Sequence, residues 1–400
     1  MTKKEETLET TSDVLLRWTQ LNEIIDIAFT IKPIVLGSEF PTRIRKSSDE
    51  FFDVTFRKVC KYLHLDEHIE VINVIDEDLS FFEQLISEVV FSYVENNKLL
   101  NSWSDTDIKL AIEQHFVSKI NPIQFPSYDL AKLNVYTFGE DKNPAIIMAL
   151  PCGMPLVIAQ KWIEHLSNDY FVITWETRGL FADINVSSFA LDANVKDLIQ
   201  IIDYFNPKNT HVFGMCSGAV VALKAIHQFP EKFSSASFWH GDYNWRDKDI
   251  WTKYQKDLKA TLCIAKTSIN EASVIRDIIC AKKSRLSLPA SLACTFMYPY
   301  LNGKLFYNYA NLNESIQDFE INEIVKEIET PILIATSKDD SIAHPKGSTK
   351  LNEHLKNSVY YERVDGDHSS FFDAPLELIE VLKNFMNGAS SKTDYDIVVI

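Results

Sequence analysis

Apolar side chains recur at three- and four-residue spacings through the first 130 residues. Asp49 to Leu65 and Leu79 to Val94 place Phe, Val, Leu and Ile on that period, the stripe expected of helices with one buried face. Gly37 is the only glycine there, and the pattern predicts an N-terminal helical extension over residues 1–130. From about residue 132 the texture changes. Short β-branched or apolar runs appear at Leu133–Phe138, Ala145–Leu150, Tyr170–Trp175, His211–Phe213, Ala236–Trp239, Ile332–Thr336 and Val359–Val364. Helical patterns lie between several of them, notably Val195–Phe205 and Ala219–Gln228. Such alternation predicts an α/β class, with a mostly parallel sheet and helices on both faces. The stretch between Trp239 and Ile332 is rich in helix formers and too long for a loop. It predicts a helical cap over 243–328, splitting the core into 131–242 and 329–388, with a C-terminal tail at 389–400.

Composition narrows the classes. A chain of 400 residues that is 46% hydrophobic, with 25 Phe, can build a large core. Its formal charge of −16 argues against nucleic acid as a partner, because phosphate binding needs a basic face. It disfavours an anionic membrane surface too. Two uncharged stretches, Asn143 to Gln160 and Leu286 to Gly303, are interrupted by Pro144, Pro151, Gly153, Pro155, Pro289 and Pro299, so neither predicts a spanning helix. The polar start Met1-Thr2-Lys3-Lys4-Glu5-Glu6 lacks a signal-peptide pattern, giving a cytoplasmic expectation. The 6 cysteines, at 60, 152, 216, 263, 280 and 294, form no CxxC pair and no metal-ligand spacing. No G-x-G-x-x-G follows the first strands, so neither metal nor dinucleotide is expected. Glu77-Asp78-Leu79-Ser80 precedes an apolar helix but lacks the Asp-Ser-Leu core of a carrier domain.

One motif carries chemistry. Gly214-Met215-Cys216-Ser217-Gly218 lies between the run His211–Phe213 and a helical pattern opening at Ala219. A strand, a tight turn and an immediate helix make a nucleophile elbow. The glycines leave room where a Cβ would collide, and the helix N-terminus favours a thiolate at Cys216. The bland alternative is a small buried residue between packing glycines. Downstream, the run Pro331–Thr336 ends in Lys338-Asp339-Asp340-Ser341-Ile342, and Val364-Asp365-Gly366-Asp367-His368-Ser369 follows the last strand. A cysteine on an elbow, an acidic turn and a histidine turn thus follow one another along the chain.

These motifs resemble the α/β-hydrolase superfamily over roughly residues 130 to 388. The resemblance implies an α/β-hydrolase fold with Cys216 as nucleophile, Asp340 as acid and His368 as base. Asp339, and Asp242 in Trp239-His240-Gly241-Asp242, remain alternatives for the acid; the latter follows an earlier strand, as in assembly-line thioesterases. His240 is a lesser candidate near the cleft, while His211, His227 and His344 read as packing or surface residues. The oxyanion donors would be the backbone N–H groups of Ser217 and, in Leu150-Pro151-Cys152-Gly153-Met154-Pro155, of Met154. Cys152 stands there where the family has His. Trp175-Glu176-Thr177-Arg178-Gly179 resembles the family's Asp-x-Arg-Gly turn, whose arginine orders loops.

A cysteine converts one thioester into another at little cost in energy, which suits reversible transfer between thiols better than hydrolysis. With the helical extension and the chain length, it makes this sequence similar to the aminoacyl-shuttling transferases of nonribosomal peptide biosynthesis, the syringomycin type. That resemblance implies an acyl- or aminoacyltransferase that takes its substrate from the phosphopantetheine of an acyl or peptidyl carrier protein and binds no cofactor of its own. Leu286–Gly303 could then line the channel for the pantetheine arm, and Arg276, Lys282, Lys283 and Arg285 could meet the carrier. A thioesterase, a carboxylester hydrolase and a hydrolase-like binding protein without activity remain as alternatives.

Overall fold

The computed structural model describes residues 11–99, 101–281 and 288–388. In chain order the helices are α1 (Thr11–Gly37), α2 (Glu50–Tyr62), α3 (Phe81–Val94), α4 (Asp105–Gln114), α5 (Gln160–Leu166), α6 (Leu191–Phe205), α7 (Ser217–Gln228), α8 (Lys253–Ala265), α9 (Ile269–Ala281), α10 (Ala290–Met297), α11 (Gly303–Gln317), α12 (Pro345–His354) and α13 (Leu376–Met386). The strands are β1 (Thr42–Arg45), β2 (Ile69–Ile72), β3 (Ile123–Pro126), β4 (Lys132–Phe138), β5 (Ala145–Ala149), β6 (Phe171–Trp175), β7 (His211–Met215), β8 (Ser235–Trp239), β9 (Ile332–Ser337) and β10 (Ser358–Arg363). They form two compact units, one running to Ile120 and taking in α10, the other running on from Asn121 and resuming at Tyr298.

In the first unit α1 buries Leu21, Ile24, Ile25, Ala28, Ile31 and Val35 and packs on α2, α3, α4 and α10. Local rules fix the helix starts. Asp49 accepts from the N–H groups of Phe51 and Phe52 at the head of α2, and Ser80 with Glu83 closes a capping box on α3. The expected helical extension also contains a short two-stranded sheet. Strands β1 and β2 pair in parallel, Thr42 opposite Ile69, and Arg43 ties β1 to α3 by bonding both Glu83 carboxylate oxygens at 2.8 Å. The four-residue strands are too short for a periodicity to show in the sequence.

The second unit is built on an eight-stranded sheet in the order β10-β9-β8-β7-β5-β6-β4-β3. Strands β5 to β10 run parallel, whereas β4 pairs antiparallel with both β6 and β3. The inner strands β5, β6 and β7 are buried along their whole length, as a sheet covered on both faces requires. The boundary expected at residue 131 moves back to Asn121, because Ile123–Pro126 pairs with Lys132–Val135. Helices α8, α9 and α11 pack on one another, with α11 also reaching α6 and α7, and they occupy the region expected as a cap. Helix α10 does not join them, packing on α3 and α1 of the first unit. The expected channel lining Leu286–Gly303 is therefore divided between units from Ala290 on, and its first residues lie outside the described ones. No helix among the described residues is long and apolar enough to cross a membrane.

Candidate active site

The elbow holds Cys216 at φ +49° and ψ −119°, a strained backbone for a residue with a side chain. Two close approaches force it. A Cβ on Gly214 would come 2.5 Å from Ala219 Cα, and one on Gly218 would come 2.3 Å from Ala149 O. The Cys216 N–H donates to Trp239 O at 2.9 Å, locking the turn to the end of β8. The thiol is partly exposed, whereas those of Cys60, Cys152 and Cys294 are buried.

Asp340 leaves the end of β9 and His368 follows β10, and the sheet order sets them beyond β8 from the elbow. His368 Nδ1 lies 2.8 Å from Asp340 Oδ2. Asp340 Oδ1 accepts the N–H groups of Ile342 and Ala343, each at 2.8 Å. His240, at the end of β8, brings its own Nδ1 to 2.8 Å from the same Oδ2. All three side chains are buried, at 1% exposure for His240, 4% for Asp340 and 2% for His368. Burial alone would push the His368 imidazole down, but the Asp340 carboxylate and the Cys216 thiol outweigh it and hold its pKa well above 6.5. For Asp340 burial acts upward, and the His368 charge with the bonds from both imidazoles holds the carboxyl well below its usual range. His368 Nε2 is buried with no partner of full hydrogen-bond geometry, and the Cys216 side chain is among the groups that raise its pKa.

The geometry separates the candidate acids. Asp339 is exposed and turns away from the imidazoles, which both bond Asp340. Asp242 accepts from Gln255 Nε2; burial raises its pKa, and it holds neither imidazole. Among the other histidines, His211 is buried between Ser235 and Ser237 at 2.8 and 2.9 Å. His227 bonds Glu327, and His344 caps α12 by accepting from Lys346 N–H. Arg178 is fully buried against Asp197 and Asp129, ordering the loop after β6.

The loop after β5 departs from expectation. Met154 N–H donates to Pro151 O at 3.0 Å, so in this conformation it is not a free oxyanion donor. Its neighbours are also engaged: Cys152 N–H bonds Ser217 Oγ at 2.9 Å and Gly153 N–H bonds Thr177 Oγ1 at 3.1 Å. The turn closes on itself because Gly153 takes φ +85°. Ser217 N–H opens α7, where helix geometry supplies no intrahelical acceptor. Burial pushes the Cys152 thiol up to about 12, which makes it a poor second nucleophile. Tyr243 and Tyr309 complete the surroundings; burial and then the Cys216 charge raise the pKa of Tyr243, and Cys216 acts on buried Tyr309 as well. Neither phenol, Tyr243 after β8 or Tyr309 on α11, gave a signal in the sequence.

His240, Asp340 and His368 are close enough together to be weighed as metal ligands. Both Nδ1 atoms point at one carboxylate oxygen at hydrogen-bond distance, so two N–H donors account for the cluster without an ion. Of the expected carrier-facing cations, Arg276 is turned inward, its Nε on Tyr300 O at 2.9 Å and its Nη2 on Leu301 O at 3.1 Å. Its Nη1 pairs with Asp277 and the side chain stays partly exposed; Lys282, Lys283 and Arg285 lie outside the described residues.

No family model matches the chain. The 3-oxoadipate enol-lactonase 1 of Acinetobacter baylyi is 21% identical over 283 residues, 68% of this chain and 98% of the relative. Among solved structures, the enol-lactonase from Burkholderia xenovorans superposes with a TM-score of 0.53 at 14% identity, covering 64% of this chain and 97% of its own. An esterase from Exiguobacterium antarcticum gives 0.52 at 15% identity, covering 66% and 98%. The chain has an α/β-hydrolase fold. An α/β-hydrolase sheet presents its nucleophile, acid and histidine at the carboxyl ends of its strands, which is where β7, β9 and β10 deliver Cys216, Asp340 and His368.

Proposed function

We propose that the protein is an acyltransferase of the α/β-hydrolase type, working through a thioester on Cys216 with His368 as base and Asp340 as the acid that orients it. The supporting observation is the hydrogen-bonded His368–Asp340 pair beside a thiol held on the elbow. The Cys216 thiolate attacks the carbonyl carbon of an acyl thioester. As the tetrahedral intermediate collapses, the carbon–sulfur bond of the donor breaks and the leaving thiol takes the proton from His368. A second thiol then returns a proton to His368 and attacks the enzyme thioester, which restores Cys216. Donor and acceptor are carrier-protein phosphopantetheine thiols, and the acyl or aminoacyl group crosses between them.

Hydrolysis is the second reading, as a thioesterase or ester hydrolase, and the enol-lactonase and esterase likenesses favour it. Intact mass of the protein after mixing with a loaded carrier protein, beside Cys216→Ala, separates the two. A mass gain on wild type alone, discharged onto a second carrier thiol, supports transfer. Release of free acid only would place hydrolysis first.

A further inference from the structure

The triad does not account for His240. It closes β8 with φ +50°, a left-handed backbone that a residue with a Cβ adopts at a cost of order 1–3 kcal/mol. Its N–H is fixed to Ala335 O at 2.8 Å, and its ring packs on Phe371 with centroids 5.3 Å apart. This places Nδ1 on Asp340 Oδ2, the oxygen that also takes His368 Nδ1. Asp340 has four acceptor positions, and four N–H groups fill them: Ile342, Ala343, His240 and His368.

We infer that His240 is a positioning residue of the Cys216 site, a neutral Nδ1–H donor that pins the Asp340 carboxylate and shares the oxygen on which His368 is held. The inference rests on the assignment of Cys216 and His368 as nucleophile and base. A permanent neutral donor on Oδ2 lowers the basicity of the carboxylate, so Asp340 orients His368 without holding its proton too firmly to release to a leaving thiol. The charged and titratable groups around His240 are consistent with its neutrality. Burial opposes its charging, the His368 imidazolium and Arg363 on β10 oppose it further, and Asp340 is the counterweight. Asp242, two residues on, is held by Gln255.

The test uses the full chain. Long-range proton–nitrogen spectra of the 15N-histidine-labelled protein between pH 5 and 9 should show His240 as the Nδ1–H tautomer, neutral throughout. In His240→Leu the alkaline limb of Cys216 alkylation by iodoacetamide, set by loss of the His368 proton, should rise by roughly half a unit, and acylation by a loaded carrier should slow about tenfold. His240→Asn keeps an N–H in the place of Nδ1 and tolerates positive φ, so it should restore both. A His240 that titrates in this range, or carries its proton on Nε2, overturns the inference. So does a folded Leu variant with its limb unmoved, or an Asn variant no better than Leu. If Leu does not fold, the wild-type spectra and the Asn profile decide. Failure of wild type to take any acyl group sinks the transfer reading separately, because the spectra and the alkylation profile need no thioester.

Discussion

The two flanks of Cys216 are built differently. On the β9–β10 side every acceptor of Asp340 is occupied by an N–H, and both histidines are buried. On the β5 side the backbone donors of Cys152, Gly153 and Met154 are all engaged with the protein itself. In the proposed acyl transfer, the flank of Asp340 and His368 is the preorganised one, and the β5 flank has no free backbone donor at residues 152–154. Stabilising a developing oxyanion needs donors aimed at it, so under the proposed function the β5 loop is the part of the site that substrate would change.

The comparison breaks most sharply at Asp340. Asp340→Asn keeps the size of the side chain but removes the charge that holds the His368 imidazolium and its tautomer. Acylation of Cys216 should fall by about 10³–10⁴, by the logic of a triad acid. Asp242→Asn should leave it within a few fold, since Asp242 touches neither imidazole. Single-turnover acylation of the two variants checks both. Equal losses would mean that Asp242 shares the acid role.

Gly153→Ala probes the other flank. The position has φ +85°, and a Cβ would lie 2.6 Å from Tyr309 Cδ2, so the turn carrying the Met154 N–H must shift. Acylation develops an oxyanion, whereas alkylation by iodoacetamide does not. The variant should acylate roughly 10- to 100-fold more slowly while alkylating at close to the wild-type rate. If both rates fell together, the damage would lie in Cys216 and His368 instead, and the two flanks would not be separable.

Much of the preorganised flank could be read from the sequence, because its parts sit where a strand ends. The run Ile332–Thr336 and the acidic turn after it singled out Asp340, Gly366-Asp367-His368 singled out His368, and the structure pairs the two. All seven expected strands of the sheet are present. The β5 flank resisted because the use of a backbone N–H is decided by one dihedral, here at Gly153, and no side chain records it. His240 was legible only as a histidine near a strand end; its role depends on sharing one oxygen with a residue far along the chain. Strand β3 was missed because it is four residues long and pairs at the sheet edge, where alternation has no length to show. Helix α10 looks like cap by composition, and only packing assigns it to the other unit.

The smallest expected effect sets the site against the opposite end of the same sheet. His368, beyond the carboxyl end of β10, is raised well above its ordinary 6.5 by Asp340 and Cys216 once burial is overcome. His211, at the amino end of β7, is pushed down to about 3 by burial. Their contributions to stability therefore have opposite pH dependence. The folded protein binds the His368 proton more tightly than the unfolded chain does. That contribution is full below pH 6.5 and is lost as pH rises through the folded pKa. The folded protein binds the His211 proton more weakly, so that contribution is full above 6.5 and is lost as pH falls towards 3. Thermal melts from pH 4 to 9 on wild type, His368→Gln and His211→Gln should show it. The stability that wild type has over His368→Gln should shrink towards alkaline pH, and the stability that it has over His211→Gln should shrink towards acid, each by at most about 1.4 kcal/mol per pH unit. A margin over His368→Gln that stayed flat up to pH 9 would mean that His368 is neutral in the resting protein. The ordered flank would then await substrate for its charge, just as the β5 loop does for its donor.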